Sequence, residues 1–363
     1  MPRRLRITHF SSWAETLRGA EAFLDALPQL DLRGRVARAG DAELLRMARL
    51  DCDWHGENTR VFAALSHPDL EFLPARVCGA AGLLELARTP AEPGVESWLV
   101  FDGQGPQKLA GVLGRLAPLL RRAGVRFAWY AFDEASRTTS AFSEIAPYLD
   151  VLIHDEAPLD PEGEAALPRT CVKRHRSWVA NLIPFSIPFA EAPEPRILFL
   201  GSRLGLTDHR KRQISFLEKT FKDRFVAIAD HSVAVGERAS LTRFKVSVCP
   251  EGRKFATPGM NATHTDRPFW SGCMGLVPVS ENARTGGRLE ALAEGGLVLR
   301  YAHGDLNALK SACEQALETP LAERRRIYEH FNRHETVGTV LADALGACPP
   351  PPATAGMPQS VGA

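Results

Sequence analysis

The sequence predicts an α/β protein built from two parallel-sheet units. Three observations carry this. Short apolar runs alternate with helical patterns through the first half of the chain. A segment with four prolines in twelve positions, PFSIPFAEAPEP at 184–195, then interrupts the pattern as a linker. The same alternation restarts at Arg196. A length of 363 residues suffices for two α/β domains of roughly 150 to 200 residues each.

The elements follow in order. Arg4–Phe10 (RLRITHF) reads as a first strand and Trp98–Phe101 (WLVF) as another, ending in Asp102-Gly103. Leu109–Leu120 carries apolar residues at helical spacing, closed by Arg121, Arg122 and Gly124. Val125–Phe132 is a strand ending in Asp133 and Glu134. Phe142–Leu149 is a short helix, and Asp150–His154 a further strand ending in Asp155 and Glu156. Beyond the linker come a strand at Arg196–Leu200, a helix at Asp208–Phe221 with a basic first turn, and strands at Phe225–Ala229 and Leu297–Tyr301. Asp305–Leu345 reads as two helices broken at Pro320, with Gly346 as the stop. The tail from Pro349 to Ala363, beginning PPPP, is disordered by composition. The domains expected are a Rossmann-like acceptor domain at 1–185, a Pro-rich linker at 186–195, a donor domain at 196–346 and a tail at 347–363.

Composition excludes several classes. Forty-four basic and 43 acidic residues give a net charge of +1, so nothing points to nucleic acid. No run of 18 apolar residues predicts a membrane-spanning helix. The basic N-terminus lacks the apolar core of a secretion signal, and seven scattered cysteines without a CxxC pair read as reduced thiols. A cytoplasmic location is therefore expected. No GxGxxG fingerprint and no GxxxxGK(S/T) loop is present, which weakens dehydrogenase and P-loop readings.

The densest stretch is Arg243–Glu281. A buried strand, KVSVC, ends at Pro250, Glu251 and Gly252, and Arg253 and Lys254 follow in a loop. Thr265 stands at an N-cap, with Asp266, Arg267 and Pro268 in the first helical turn. A helix N-terminus with nearby cations suits phosphate. LVPVS then forms a strand with Glu281 at its C-terminal end, the edge where parallel sheets bind ligands.

Two Rossmann-like halves with a linker resemble the GT-B glycosyltransferases. Within that class TDRPFWSGCMGLVPV, Thr265 to Val279, resembles the corresponding segments of the α1,3-fucosyltransferase-type and exostosin-type families. FDEASRTTSAFSEIAPYLDVLIHDE resembles the fucosyltransferase stretch that carries a catalytic Glu. The resemblance implies two Rossmann-like domains facing a central cleft, a nucleoside-diphosphate sugar as donor, no metal and no further cofactor. It implies Glu134 as base, Asp266 as a ribose contact, and Arg267 with Arg210 or Arg212 as diphosphate contacts. Acids usual in retaining members are replaced here by Ala262 and Trp270, which points to an inverting enzyme.

The residue chemistry fits that transfer. Charge growing on the leaving diphosphate calls for preorganised cations, and Arg203, Arg210, Arg212, Arg253, Lys254 and Arg267 stand at or near strand ends. Glu251, Thr265, Asp266 and Glu281 complete the expected donor set. The acceptor hydroxyl needs a general base, for which Glu134 and then His9 are the candidates. The acceptor is expected to be a glycan, a lipid-linked glycan or a natural product, the lipid-linked case implying peripheral membrane contact. Two alternatives stand beside the transferase: a non-catalytic nucleotide- or sugar-binding module, and a nucleotide-sugar epimerase.

Overall fold

A computed structural model describes residues 2–10, 61–89, 92–102, 109–131, 140–154, 161–175, 184–201, 207–228, 235–250, 267–282 and 288–350. The first sheet contains β1 (Arg3–Phe10), β2 (Leu70–Cys78), β3 (Val95–Asp102), β4 (Val125–Tyr130), β5 (Val151–His154) and β6 (Val172–His175). Its order is β2-β1-β3-β4-β5-β6, and every neighbouring pair is parallel. Helices α1 (Ala80–Arg88), α2 (Leu113–Arg122), α3 (Ser140–Ile145) and α4 (Pro161–Ala166) lie between these strands.

The second sheet contains β7 (Glu194–Leu200), β8 (Phe225–Ile228), β9 (Phe244–Cys249), β10 (Val277–Asn282) and β11 (Leu299–Ala302), in the order β11-β10-β9-β7-β8, again all parallel. Its helices are α5 (Asp208–Phe221), α6 (Arg267–Cys273), α7 (Arg288–Glu294), α8 (Leu306–Glu318), α9 (Leu321–His334) and α10 (Val337–Ala347). The α/β class and the pair of Rossmann-like parallel sheets expected from the sequence are both present. In each sheet the strand order reverses once, between β1 and β3 in the first and between β7 and β9 in the second. Ligands of such sheets bind outside the strand C-termini at these switch points.

Burial explains why these strands read as continuous apolar runs. β4 and β5 are buried at every position, as strands covered on both faces must be. Trp270, in the segment that carries the family resemblance, packs in a core patch with Leu198, Phe244 and Met274.

Four details differ from the sequence reading. β2, α1, α4 and β6 had no expectation at all; β2 is largely exposed or half-buried, so its apolar signal is weak. The C-terminal region holds three helices, because Thr336 caps a new one by accepting from the Thr339 amide at 3.1 Å. Gly346 lies within the last turn of α10, and the chain leaves the helix at Cys348. The proline segment is fastened along α9: Tyr328 donates to the Ile187 carbonyl at 2.7 Å, and Arg324 Nη2 donates to the carbonyls of Ala190 (3.1 Å) and Gly275 (2.9 Å). Burial pulls the Arg324 guanidinium down to about 10.

α10 returns to the first sheet and packs on β5 and β6, so one hydrophobic core runs from Leu5 and Ile7 through Leu341 and Leu345 to Ile197 and Val246.

Candidate functional site

The second sheet's switch point is built by β7, β9 and α5. Thr207 caps α5, its hydroxyl accepting from the Arg210 amide at 3.2 Å. The buried residues of this helix are Arg210, Gln213, Ile214, Leu217 and Phe221, a single stripe at helical spacing. Arg210 is therefore carried inward, and its Nη2 donates to the Pro250 carbonyl just past β9 at 3.3 Å. Lys211 and Arg212 fall on the exposed side, so the structure separates Arg212 from the stripe that carries Arg210.

Arg267, at the start of α6, reaches back across the same edge. Its Nε donates to the Leu200 carbonyl at the end of β7 at 2.8 Å, and its guanidinium lies 5.9 Å from the Phe199 ring centroid. Gly201 makes this approach possible, since a Cβ there would sit 3.0 Å from Arg267 Nη2 and 2.8 Å from Phe199 Cζ. Two guanidinium groups are thus fixed by backbone carbonyls on either side of the switch point.

Beside them, at the C-terminal ends of β10 and β11, stands a cluster around Glu281. This carboxylate is fully buried. Its Oε1 lies 2.7 Å from His209 Nε2 and 3.0 Å from His303 Nδ1, and it accepts from Gln213 Nε2 at 2.9 Å and the Gly304 amide at 2.9 Å. Tyr301 donates to Gln213 Oε1 at 2.6 Å, which fixes the amide so that its nitrogen faces Glu281. The two imidazoles stack with centroids 4.5 Å apart. Among the described residues, His209, Glu281 and His303 are the group whose donor atoms converge as those of a metal site would, all within 4.8 Å. Sequence reading singled out Glu281 but missed His209, Gln213, Tyr301 and His303 as members of the cluster. The usable signals were the four-residue spacing of His209 and Gln213 and the position of His303 just past a strand.

In the first sheet, His9 sits near the C-terminal end of β1, beside that sheet's switch point, with its ring fully buried and 4.5 Å from the Phe62 ring. His154 ends β5 and is equally buried. Glu134, Arg203, Glu251, Arg253, Lys254, Thr265 and Asp266 lie outside the described residues. Burial pushes the thiols of Cys78 and Cys171 up to about 12 and that of Cys348 up to about 11, so none of these three is poised as a nucleophile. No helix among the described residues is long and apolar enough to cross a membrane.

No protein-family model matches the chain. No curated protein matches it either. Solved structures do resemble it in layout. One is the lipopolysaccharide outer core galactosyltransferase WaaB, at 8% identity and a TM-score of 0.41, covering 95% of this chain and 99% of that one. Another is the Thermobaculum terrenum O-GlcNAc transferase, at 13% identity and a TM-score of 0.45, covering 95% and 66%. A third is TarM, at 10% identity and a TM-score of 0.42; the match covers 70% of this chain and spans 55% of TarM. Likeness at this distance carries no information on substrate or mechanism.

Proposed function

We propose that the protein is a glycosyltransferase that moves a sugar from a nucleoside-diphosphate sugar to an acceptor hydroxyl. The observation that carries this is the placement of Arg210, in the first turn of the 14-residue helix α5, and of Arg267, at the start of α6, on the two sides of the second sheet's switch point. Fixed cations and a helix N-terminus are what a departing diphosphate requires. Each guanidinium is oriented by a carbonyl bond before any ligand arrives, so little reorganisation accompanies charge development. In this reading the donor lies on the second sheet, and Arg203, Arg253, Lys254 and Asp266 extend its site. The acceptor, a glycan or lipid-linked glycan, approaches from the first sheet. Glu134 takes the acceptor proton, with His9 as its rival, and the transfer inverts the anomeric centre. The sequence resemblance favours a GDP-fucose kind of donor.

A thermal-shift panel of GDP, UDP, CDP and ADP with their sugars tests the reading. A ligand at about 100 times its Kd adds roughly 2.7 kcal/mol, a shift of a few degrees. A shift with one diphosphate family, lost in Arg267→Ala, is the expected result. No shift with any nucleotide overturns it. A shift without sugar transfer to any acceptor would favour the non-catalytic binding module.

A further inference from the structure

We infer that His209, His303 and Glu281 form a binding site for one divalent transition-metal cation, of which zinc is the best chemical fit. Three observations lead there. First, the donor set is two imidazole nitrogens and one carboxylate oxygen. Those ligands suit zinc and its neighbours rather than magnesium or calcium, and three protein ligands leave a position open. Second, the carboxylate is fully buried while the two imidazole side chains are 31% and 40% exposed, so the cluster is anchored inside and open to solvent outside. Third, hydrogen bonding alone accounts poorly for the contacts.

Glu281 Oε1 has four nitrogens within 3.0 Å, whereas a carboxylate oxygen offers about two lone-pair sites. The Gln213 and Gly304 N–H groups therefore compete for those sites with the two imidazole nitrogens. Gln213 Nε2 also lies 2.7 Å from His209 Nε2. An amide nitrogen can only donate, so a hydrogen bond there needs the lone pair of His209 Nε2; in the other tautomer two donor nitrogens stand 2.7 Å apart instead. In the first case the same lone pair then faces a carboxylate oxygen at 2.7 Å, two acceptors in repulsive contact. Flipping the Gln213 amide does not help, because its oxygen would then oppose Glu281. A cation held by His209 Nε2 and one lone pair of the Glu281 carboxylate removes the conflict, and the carboxylate's other lone pairs remain for the Gln213 and Gly304 N–H groups. With metal–ligand bonds of about 2.0–2.1 Å, tetrahedral ligand atoms lie roughly 3.4 Å apart, so the 2.7 and 3.0 Å contacts of His209 and His303 to Glu281 would open by roughly 0.7 and 0.4 Å on ligation. Gln213 and Tyr301 supply the supporting shell that orients such ligands.

This site runs against the metal-free expectation that came with the sequence resemblance, and it does not depend on the transferase reading. The test is a cobalt titration of the full chain, stripped of metal and carrying no histidine tag. We expect a visible d–d absorption band that saturates at one equivalent of Co2+ and is displaced by Zn2+. His303→Asn, at an exposed side chain, should keep the thermal transition of the native chain. It should weaken Co2+ uptake by more than about 100-fold, because losing even an outer-shell partner costs 10- to 100-fold. Gln213→Leu should fall within that lower range. Absence of a band together with absence of Zn2+ uptake in equilibrium dialysis overturns the site. So does a band that survives undiminished in the His209→Asn, His303→Asn double variant. Nucleotides that fail to bind would leave the cobalt result standing, and failed metal uptake would leave the nucleotide result standing.

Discussion

The N-terminal edge of the first sheet and the C-terminal edge of the second both gather charge that is buried or half-buried, and they differ in what meets the acid. At the first edge, Glu96 receives Arg3 in a two-point contact at 2.6 and 2.8 Å, with Arg126 at 3.3 Å. Asp150 is met by Arg121 at 2.8 Å and Arg126 at 3.2 Å, and it accepts the Phe127 amide at 2.9 Å. The same guanidiniums cap the end of α10: Arg3 donates to the Cys348 carbonyl at 2.7 Å, and Arg126 to that of Pro349 at 2.8 Å. Permanent cations, acids and helix-end carbonyls are matched there, and the product is attachment of the C-terminal helix to the first sheet. At the second edge the acid meets two partly exposed imidazoles, which can act as ligands. Buried charge is therefore no sign of function by itself. What distinguishes the second edge is groups that can ligate, opening to solvent at the strand ends.

The largest effect that would sharpen this contrast is Glu96→Ala. It leaves two part-buried guanidiniums without their carboxylate, which should cost on the order of 3 kcal/mol, the low end of what breaking a fully buried pair costs. Chemical denaturation should show that loss, while the surviving folded protein keeps its cobalt band and any nucleotide shift. A variant that lost ligand binding without losing stability would break the contrast.

Glu281→Gln should act the other way round. The amide oxygen still accepts from Gln213 and Gly304, so the stability loss should be about 1–3 kcal/mol, the range for a disturbed buried polar group. Its cobalt band should vanish. Equilibrium unfolding and the cobalt titration on one preparation separate the two effects.

The uneven legibility of the fold has the same physical origin. Strands buried on both faces, such as β4 and β5, announce themselves as apolar runs, and the proline segment and the Thr207 cap are local signals. β2 carries Glu71, Pro74 and Arg76 and is buried mainly at Leu70, so nothing local marks it as a strand. The site was half legible. Arg210, Arg267 and Glu281 follow strand ends that could be read from the sequence. The pairing of His209 with His303, by contrast, depends on β10 lying beside β11, and on α5 packing over their ends. Such juxtapositions belong to tertiary structure, not to any window of sequence.

A smaller effect concerns pH. Burial pushes the Glu96 carboxyl up, but the hydrogen bond and charge of Arg3 and the charge of Arg126 outweigh it and hold the group below its ordinary value. A carboxyl lowered on folding stabilises the protein fully above the unfolded carboxylate pKa and loses that contribution as pH falls through the folded value. The native chain should thus lose stability more steeply in acid than Glu96→Gln, as read from melting temperatures across that range. Parallel curves would show that Glu96 gains nothing from its guanidiniums.

The smallest expected effect uses the neighbour of Arg3. Arg4 also pairs with an acid, Glu71, at 3.4 Å, but here the two side chains are 44% and 48% exposed, against 22% and 10% for Arg3 and Glu96. Exposed pairs gain little Coulomb energy in water and must restrain two long side chains to form. Arg4→Ala should therefore change stability by less than about 0.5 kcal/mol, whereas Arg3→Ala, which also uncaps α10, should cost on the order of 2–3 kcal/mol. The two substitutions fall on adjacent residues of one strand and delete the same side chain, so propensity and unfolded-state terms nearly cancel. If the two variants melt together, the N-terminal edge does not secure the last helix, and the difference between the two edges reduces to which cations each one holds.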